Sequence, residues 1–128
     1  MKCLVVDDSS ITRRILAGHL RRLGCTEVIE AADGEQAIAR CTPDVDLVLT
    51  DWNMPGLSVA EVVRGLRRLR RRTALSILLV SSRTARDDVA EALDVGVDGW
   101  LIKPVTEDAL RAGIPQALLP AAGTGTDG

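Results

Sequence analysis

The chain has 128 residues, 46% hydrophobic and 27% charged, with a formal net charge of −2. That length and balance fit one globular domain and exclude a disordered or collagen-like chain. No unbroken apolar run exceeds four residues (Ile77 to Val80), so no helix can span a membrane. The near-neutral charge provides no global field towards nucleic acid or membrane.

Lys2 is followed closely by Asp7 and Asp8, which is not a secretory leader pattern, and a cytoplasmic protein is expected. Phe and Tyr are absent and the only aromatics are Trp52 and Trp100. The core must therefore be aliphatic, and stacking platforms for single-stranded nucleic acid are not expected.

Five short, aliphatic, β-branched runs read as strands: Cys3–Val6, Val28–Ala31, Leu47–Thr50, Ile77–Val80 and Trp100–Ile102. Continuous apolar runs of this kind suit a parallel sheet covered on both faces. Helical patterns alternate with them. Ile11, Ile15, Leu16, Leu20 and Leu23 keep a 3.6-residue period that Gly24 ends. Asp33 opens a second helix with Gln36 at the capping-box position. Ser58 opens a third, with Glu61 three residues on and an apolar face of Val59, Val62, Val63, Leu66 and Leu69. A fourth starts at Thr84 or Ala85 and ends before Gly96. A fifth runs from Thr106 to Leu118, with a kink or restart expected at Gly113 and Pro115. A βα unit repeated five times predicts an α/β, doubly wound, five-stranded parallel sheet with right-handed crossovers. Residues 1–120 form the expected domain and residues 121–128 a flexible tail.

The cysteines are odd in number: Cys3, Cys25 and Cys41. No CxxC pair and no suitably placed histidine completes a zinc site. They read as reduced thiols, with Cys25, in a predicted loop, the candidate for a regulatory one. His19 lies on the first helix and reads as a surface residue.

Ligands of an open parallel sheet bind outside the carboxyl ends of its strands. Asp7 and Asp8 follow the first strand, Asp51 the third, Ser81 the fourth and Lys103 the fifth. Lys103 is one of only two lysines beside 14 arginines. Asp and Ser favour loops and caps in any protein, but five polar side chains at equivalent positions point to one site. Like charges about 4–5 Å apart repel by roughly 3–4 kcal/mol at an effective dielectric of 20, so a proton or a cation must come in. All-oxygen ligands with room for water favour Mg²⁺ over a closed Ca²⁺ cage. Lys103 then offers a point charge, and Ser81 a hydroxyl donor, to an anion such as phosphate.

Asp7-Asp8, the run Asp51-Trp52-Asn53-Met54-Pro55-Gly56, then Ser81 and Lys103-Pro104 together resemble a response-regulator receiver domain of the CheY type. The resemblance covers residues 1–119. It implies the flavodoxin-like (βα)5 strand order 2-1-3-4-5, which spacing alone does not provide. It also implies that Asp51 is the phosphoacceptor for a sensor histidine kinase, a phosphotransfer protein or a small phosphodonor. Mg²⁺ would be held by Asp8, Asp51 and the backbone carbonyl of Asn53, with Asp7 acting mainly through water. Lys103 would bind a phosphoryl oxygen, and the Lys103–Pro104 bond would be cis. Ser81 would move to the phosphate, and Trp100, where the family usually has Tyr or Phe, would turn inward. That motion would change a surface read by a downstream protein target. Asn53 and Arg83, each two residues beyond a site residue, occupy positions that tune dephosphorylation in the family.

Arg64, Arg67, Arg68 and Arg71, with Arg70 and Arg72 beside them, lie opposite the valine face of the third helix. The plain reading is a solvated face. The sharper one is a docking patch for an acidic partner or an anionic nucleotide, and nucleic acid is not expected because no reader module is present. Trp52 reads as a partly exposed aromatic beside the site. The leading expectation is a single-domain, chemotaxis-type receiver, since no output domain follows within this chain. A phosphorylation-independent scaffold using the arginine helix is the alternative. A phosphatase of the Asp-nucleophile type is a third, but Asn53 stands where its second catalytic Asp would be.

Overall fold

The computed structural model describes residues 1–52, 56–69, 74–82, 93–94 and 96–119. Its strands are β1 (Lys2–Val6), β2 (Glu27–Ala31), β3 (Leu47–Asp51), β4 (Ser76–Ser81) and β5 (Gly99–Ile102). Among the described residues the helices are α1 (Ser10–Arg22), α2 (Gly34–Arg40), α3 (Val59–Leu69) and α4 (Glu107–Gly113), followed by a 3₁₀ turn at Gln116–Leu118. The strands form one parallel sheet in the order β2-β1-β3-β4-β5. This is the strand order that the resemblance implied.

Alternation along the strands divides the core into two layers. Leu4, Val6, Val48, Ile77 and Leu79 face α2 and α3, and pack with Ala37, Val59, Val62, Val63 and Leu66. Cys3, Val5, Leu47, Leu49, Leu78 and Val80 face the other way, and pack with Leu16, Leu20, Leu23, Leu110 and Ile114. β1, β3 and β4 are buried along almost their whole length, as expected of covered parallel strands. The edge strands differ. β2 is mostly half-buried, and β5 leaves Trp100 and Ile102 39% and 40% exposed.

Local signals fix the helix ends. Ser9 Oγ accepts from Thr12 N and caps α1. The end of α1 is a Schellman motif: Cys25 N donates to Leu20 O at 2.9 Å and Gly24 N to Arg21 O at 3.1 Å. Gly24 takes φ +102°, a conformation that costs a side-chain-bearing residue. Asp33 caps α2, with Gln36 Oε1 accepting from Ala32 N. Ser58 and Glu61 form the reciprocal capping box of α3. α2 and α3 approach closely where Gly34 sits, since a Cβ there would lie 2.3 Å from Val62 Cγ2. α4 stops at Gly113, and the chain restarts as the 3₁₀ turn after Pro115, as the proline implied. The helix expected from Thr84 lies outside the described residues except for helical Leu93 and Asp94, as does the tail at 121–128. Gly96 follows with φ +96°.

Three apolar positions assigned to buried faces are corrected by the structure. Ile11 is 70% exposed and Ile15 53%, because the layer beneath α1 is filled by Leu16, Ala17, Leu20 and Leu23 instead. Leu69, the last residue of α3, is 55% exposed, whereas Leu66 one turn earlier is fully buried. Leu66→Ala should therefore cost about 2–5 kcal/mol of stability in urea unfolding. Leu69→Ala should stay within about 0.5 kcal/mol.

Candidate functional site

Parallel pairing brings the carboxyl ends of β1, β3, β4 and β5 to one edge. Asp51 and Ser81 are the last residues of their strands, and Asp7 and Lys103 are the first residues beyond theirs. Asp7, Asp8 and Asp51 each bring a carboxylate oxygen within 4.8 Å of the others. Asp7 and Asp51 are buried and Asp8 is exposed. The expected cluster is thus assembled, and its donors are all oxygen, with one side open to water.

Several contacts hold the acidic pair in place. Asp7 N donates to Ala31 O at 3.1 Å, which ties the end of β1 to β2. Ser9 N donates to Asp7 Oδ1 at 2.8 Å, so the residue that caps α1 also orients the buried carboxylate. Arg13 donates to Asp7 O at 2.6 Å and pairs with Glu30 at 3.0 Å. Arg13 carried no sequence signal that set it apart from the other arginines. Ser9 was not singled out either, although a serine directly between an acidic pair and an apolar period is a capping signal.

Lys103 Nζ donates to Asp7 Oδ2 at 3.0 Å and lies 3.4 Å from Asp51 Oδ1. Burial pulls the lysine pKa down. The Asp7 hydrogen bond and the charges of Asp51 and Asp7 outweigh it and hold the pKa above its ordinary 10.5. The Lys103–Pro104 bond is cis, as the resemblance implied. Lys103 N donates to Ser81 O, and Trp52 N to Val80 O, so the backbone at the cluster continues the sheet ladder. Ser81 is buried at the edge of the cluster, and Trp100 stands two-fifths exposed on β5. Trp52 is half-buried and packs against the α2–α3 layer. Asn53 and Arg83 lie outside the described residues. His19 is on α1 beside Arg22, away from the cluster.

The residues 3–115 match the family described as response regulator receiver domain. The chain belongs to that family. Among similar proteins, the receiver shares 40% identity with chemotaxis protein CheY of Pseudomonas aeruginosa over 112 residues, 87% of this chain and 90% of that protein. A chemotaxis protein CheY homolog from Campylobacter jejuni is 37% identical over 127 residues, 98% of each. The solved structure of Vibrio cholerae chemotaxis protein CheY4 matches with a TM-score of 0.81 at 33% identity, covering 92% of this chain and 98% of that one. The protein is thus a receiver of the CheY type, a class of signalling domain, and no described helix is long and apolar enough to cross a membrane.

A cleft of about 300 Å³ opens beside Lys103 in this receiver. Thr12, Ile15, Leu16, Val80, Pro104 and Val105 complete its lining. Exposed Ile15 therefore belongs to a surface next to the carboxylates and not to the core.

The arginine stripe divides. Arg64 and Arg68 are exposed, whereas Arg67 donates to Gly96 O, Leu75 O and Asp98 Oδ2. Asp98 Oδ2 also accepts from Ile77 N at 2.7 Å. Arg67 is thus a latch between α3 and the turn before β5, not a member of a free patch. Arg70, Arg71 and Arg72 lie outside the described residues. Arg67→Ala should lower stability by about 1–2 kcal/mol, since it strips a charge-assisted donor from two carbonyls and a carboxylate. Arg64→Ala and Arg68→Ala should each change it by less than about 0.5 kcal/mol. Urea unfolding of the three variants checks the contrast.

Proposed function

We propose that this receiver accepts a phosphoryl group on Asp51 and thereby switches a surface read by a partner protein. The observation that carries this reading is the convergence of Asp7, Asp8 and Asp51 within 4.8 Å, with Lys103 bridging Asp7 and Asp51. The donor is a phosphohistidine on a sensor histidine kinase or a phosphotransfer protein, or a small acyl phosphate. An Asp51 oxygen attacks phosphorus, the P–N bond of the phosphohistidine breaks, and the departing imidazole nitrogen keeps the electron pair. The product is an acyl phosphate on Asp51.

The donor set fits Mg²⁺, being all-oxygen, few in number and open to water at Asp8. Asp8 and Asp51 would hold the ion, with the Asn53 backbone carbonyl as third ligand and Asp7 acting through water. When bound it supplies positive charge to the phosphoryl oxygens. Lys103, already 3.4 Å from Asp51, holds a further oxygen of the transferred group. Ser81 donates its hydroxyl to the phosphate, and Trp100 turns inward from its exposed position, which remodels the surface around β5. Water later attacks phosphorus, the bond to Asp51 breaks, and the carboxylate returns with release of inorganic phosphate. The domain therefore catalyses its own loading and unloading. Its setting is the cytoplasm and its partners are a kinase or phosphotransfer protein upstream and a protein target downstream.

Incubation with Mg²⁺ and acetyl phosphate, read by intact mass, tests the assignment without a cognate kinase. The wild type should gain one phosphoryl group and Asp51→Asn none. An adduct on both proteins would move the acceptor elsewhere. No adduct on the wild type, together with no beryllofluoride binding, would leave the scaffold reading. Independently, Mg²⁺ titration of a Trp100→Phe variant should give a saturable change in Trp52 fluorescence. Asp8→Asn should weaken that response at least about tenfold, as expected when a direct ligand is lost.

A further inference from the structure

Cys3 and Cys25 are separated by 22 positions, yet their sulfurs lie 3.0 Å apart. That is closer than the roughly 3.5–4.0 Å of ordinary heavy-atom contact and about 1 Å from the ~2.05 Å of a disulfide. Cys3 belongs to β1 and points into the α1–α4 layer. Cys25 occupies the position just beyond Gly24 in the Schellman turn, where an apolar side chain usually folds back on the helix. Packing explains a small apolar residue at each position. It does not explain two thiols meeting.

We infer that Cys3 and Cys25 form an oxidation site that closes to an intramolecular disulfide under hydrogen peroxide. Cys25 reacts first. It is 7% exposed where Cys3 is 0%, and burial together with the Cys25 contact holds the Cys3 thiol well above its ordinary pKa. The Cys25 sulfur attacks one peroxide oxygen, the O–O bond breaks, and the hydroxide that leaves takes the thiol proton as water. The sulfenic acid so formed is attacked by the Cys3 sulfur. Its S–O bond breaks, and the second oxygen departs as water with the Cys3 proton. Two thiols and one peroxide give one disulfide and two waters. The bond would staple the α1–β2 turn to the start of β1, at the sheet edge opposite Asp7, Asp8 and Asp51. Cys41 provides an internal control, because it is buried in the opposite layer, with α2 and α3.

The test treats the folded wild type with hydrogen peroxide, quenches it, unfolds it and labels remaining thiols with N-ethylmaleimide. The sequence puts each cysteine in its own tryptic peptide, Cys3–Arg13, Leu23–Arg40 and Cys41–Arg64. Before labelling the expected product is a monomer lighter by two hydrogens, and after labelling the first two peptides are joined and Cys41 carries the one maleimide. Dithiothreitol should restore three labelled thiols. Cys25→Ser and Cys3→Ala should each abolish the joined peptide, and Cys41→Ala should retain it. The oxidised protein should melt at least about 5 °C higher, as a cross-link across a loop of this length implies. Three labelled cysteines after treatment would overturn the inference. So would a cross-link that includes Cys41 or joins two molecules, stable oxygen adducts on Cys25 without a cross-link, or a melting temperature unchanged or lowered.

Discussion

Three carboxylates within 4.8 Å of one another repel, and the rest of the fold is arranged to keep them there. Loops alone would let them spread. Instead each is placed at or just beyond the end of a strand whose neighbours fix it on both sides, β1 between β2 and β3, and β3 between β1 and β4. The backbone of Asp7 is bonded in both directions, its N–H to β2 and its carbonyl to Arg13. Interiors packed like these two aliphatic layers yield little to strain, so the repulsion is not relieved by movement of the strands. A crowded anionic pocket with one open side is the result, an all-oxygen donor set of the kind that suits a hard cation.

Lys103 is the counterweight. Its burial alone would favour the neutral amine, but the two carboxylates it touches favour the ammonium more strongly. A lysine whose folded pKa is raised contributes its full stabilisation below the unfolded value. That contribution is lost only as pH rises through the folded value, above 10.5. The charge is therefore present at any physiological pH. The other lysine, Lys2, is paired with Asp44 and Glu27 at the opposite end of the sheet.

The succession of strands and helices along the chain was legible because its signals are local, whereas the strand order in the sheet came from the resemblance alone. Apolar runs marked all five strands to within one or two residues, and Asp33, Ser58 and Thr106 marked helix starts through caps that the structure shows closed. The site was legible for a related reason: in a parallel sheet, residues that end strands share an edge whatever the intervening chain does. The errors fall where a local pattern cannot report tertiary cover. A 3.6-residue period defines a stripe but not how far the layer beneath it extends, so Ile11, Ile15 and Leu69 looked like core and are exposed. Strand composition likewise did not say that β2 and β5 would be edges. Arg13 and Arg67 were indistinguishable from surface arginines because their partners, mostly backbone carbonyls, have no sequence signature.

Arg67 nevertheless bears on the site. It holds Gly96 O and Asp98 in place, and Asp98 in turn receives the backbone N–H of Ile77 in β4. Asp98 N donates back to Ile77 O, so the entry to β5 is fixed to β4 from both sides before Gly99 is reached. Four residues later the same strand delivers Lys103 to Asp7 and Asp51, passing the exposed Trp100 and Ile102 on the way. A strand anchored at its entry and tied to the acidic cluster at its exit is held at both ends of its short, half-exposed span. The arginine that looked like a docking charge is thus part of the frame that holds the entry of β5 against β4.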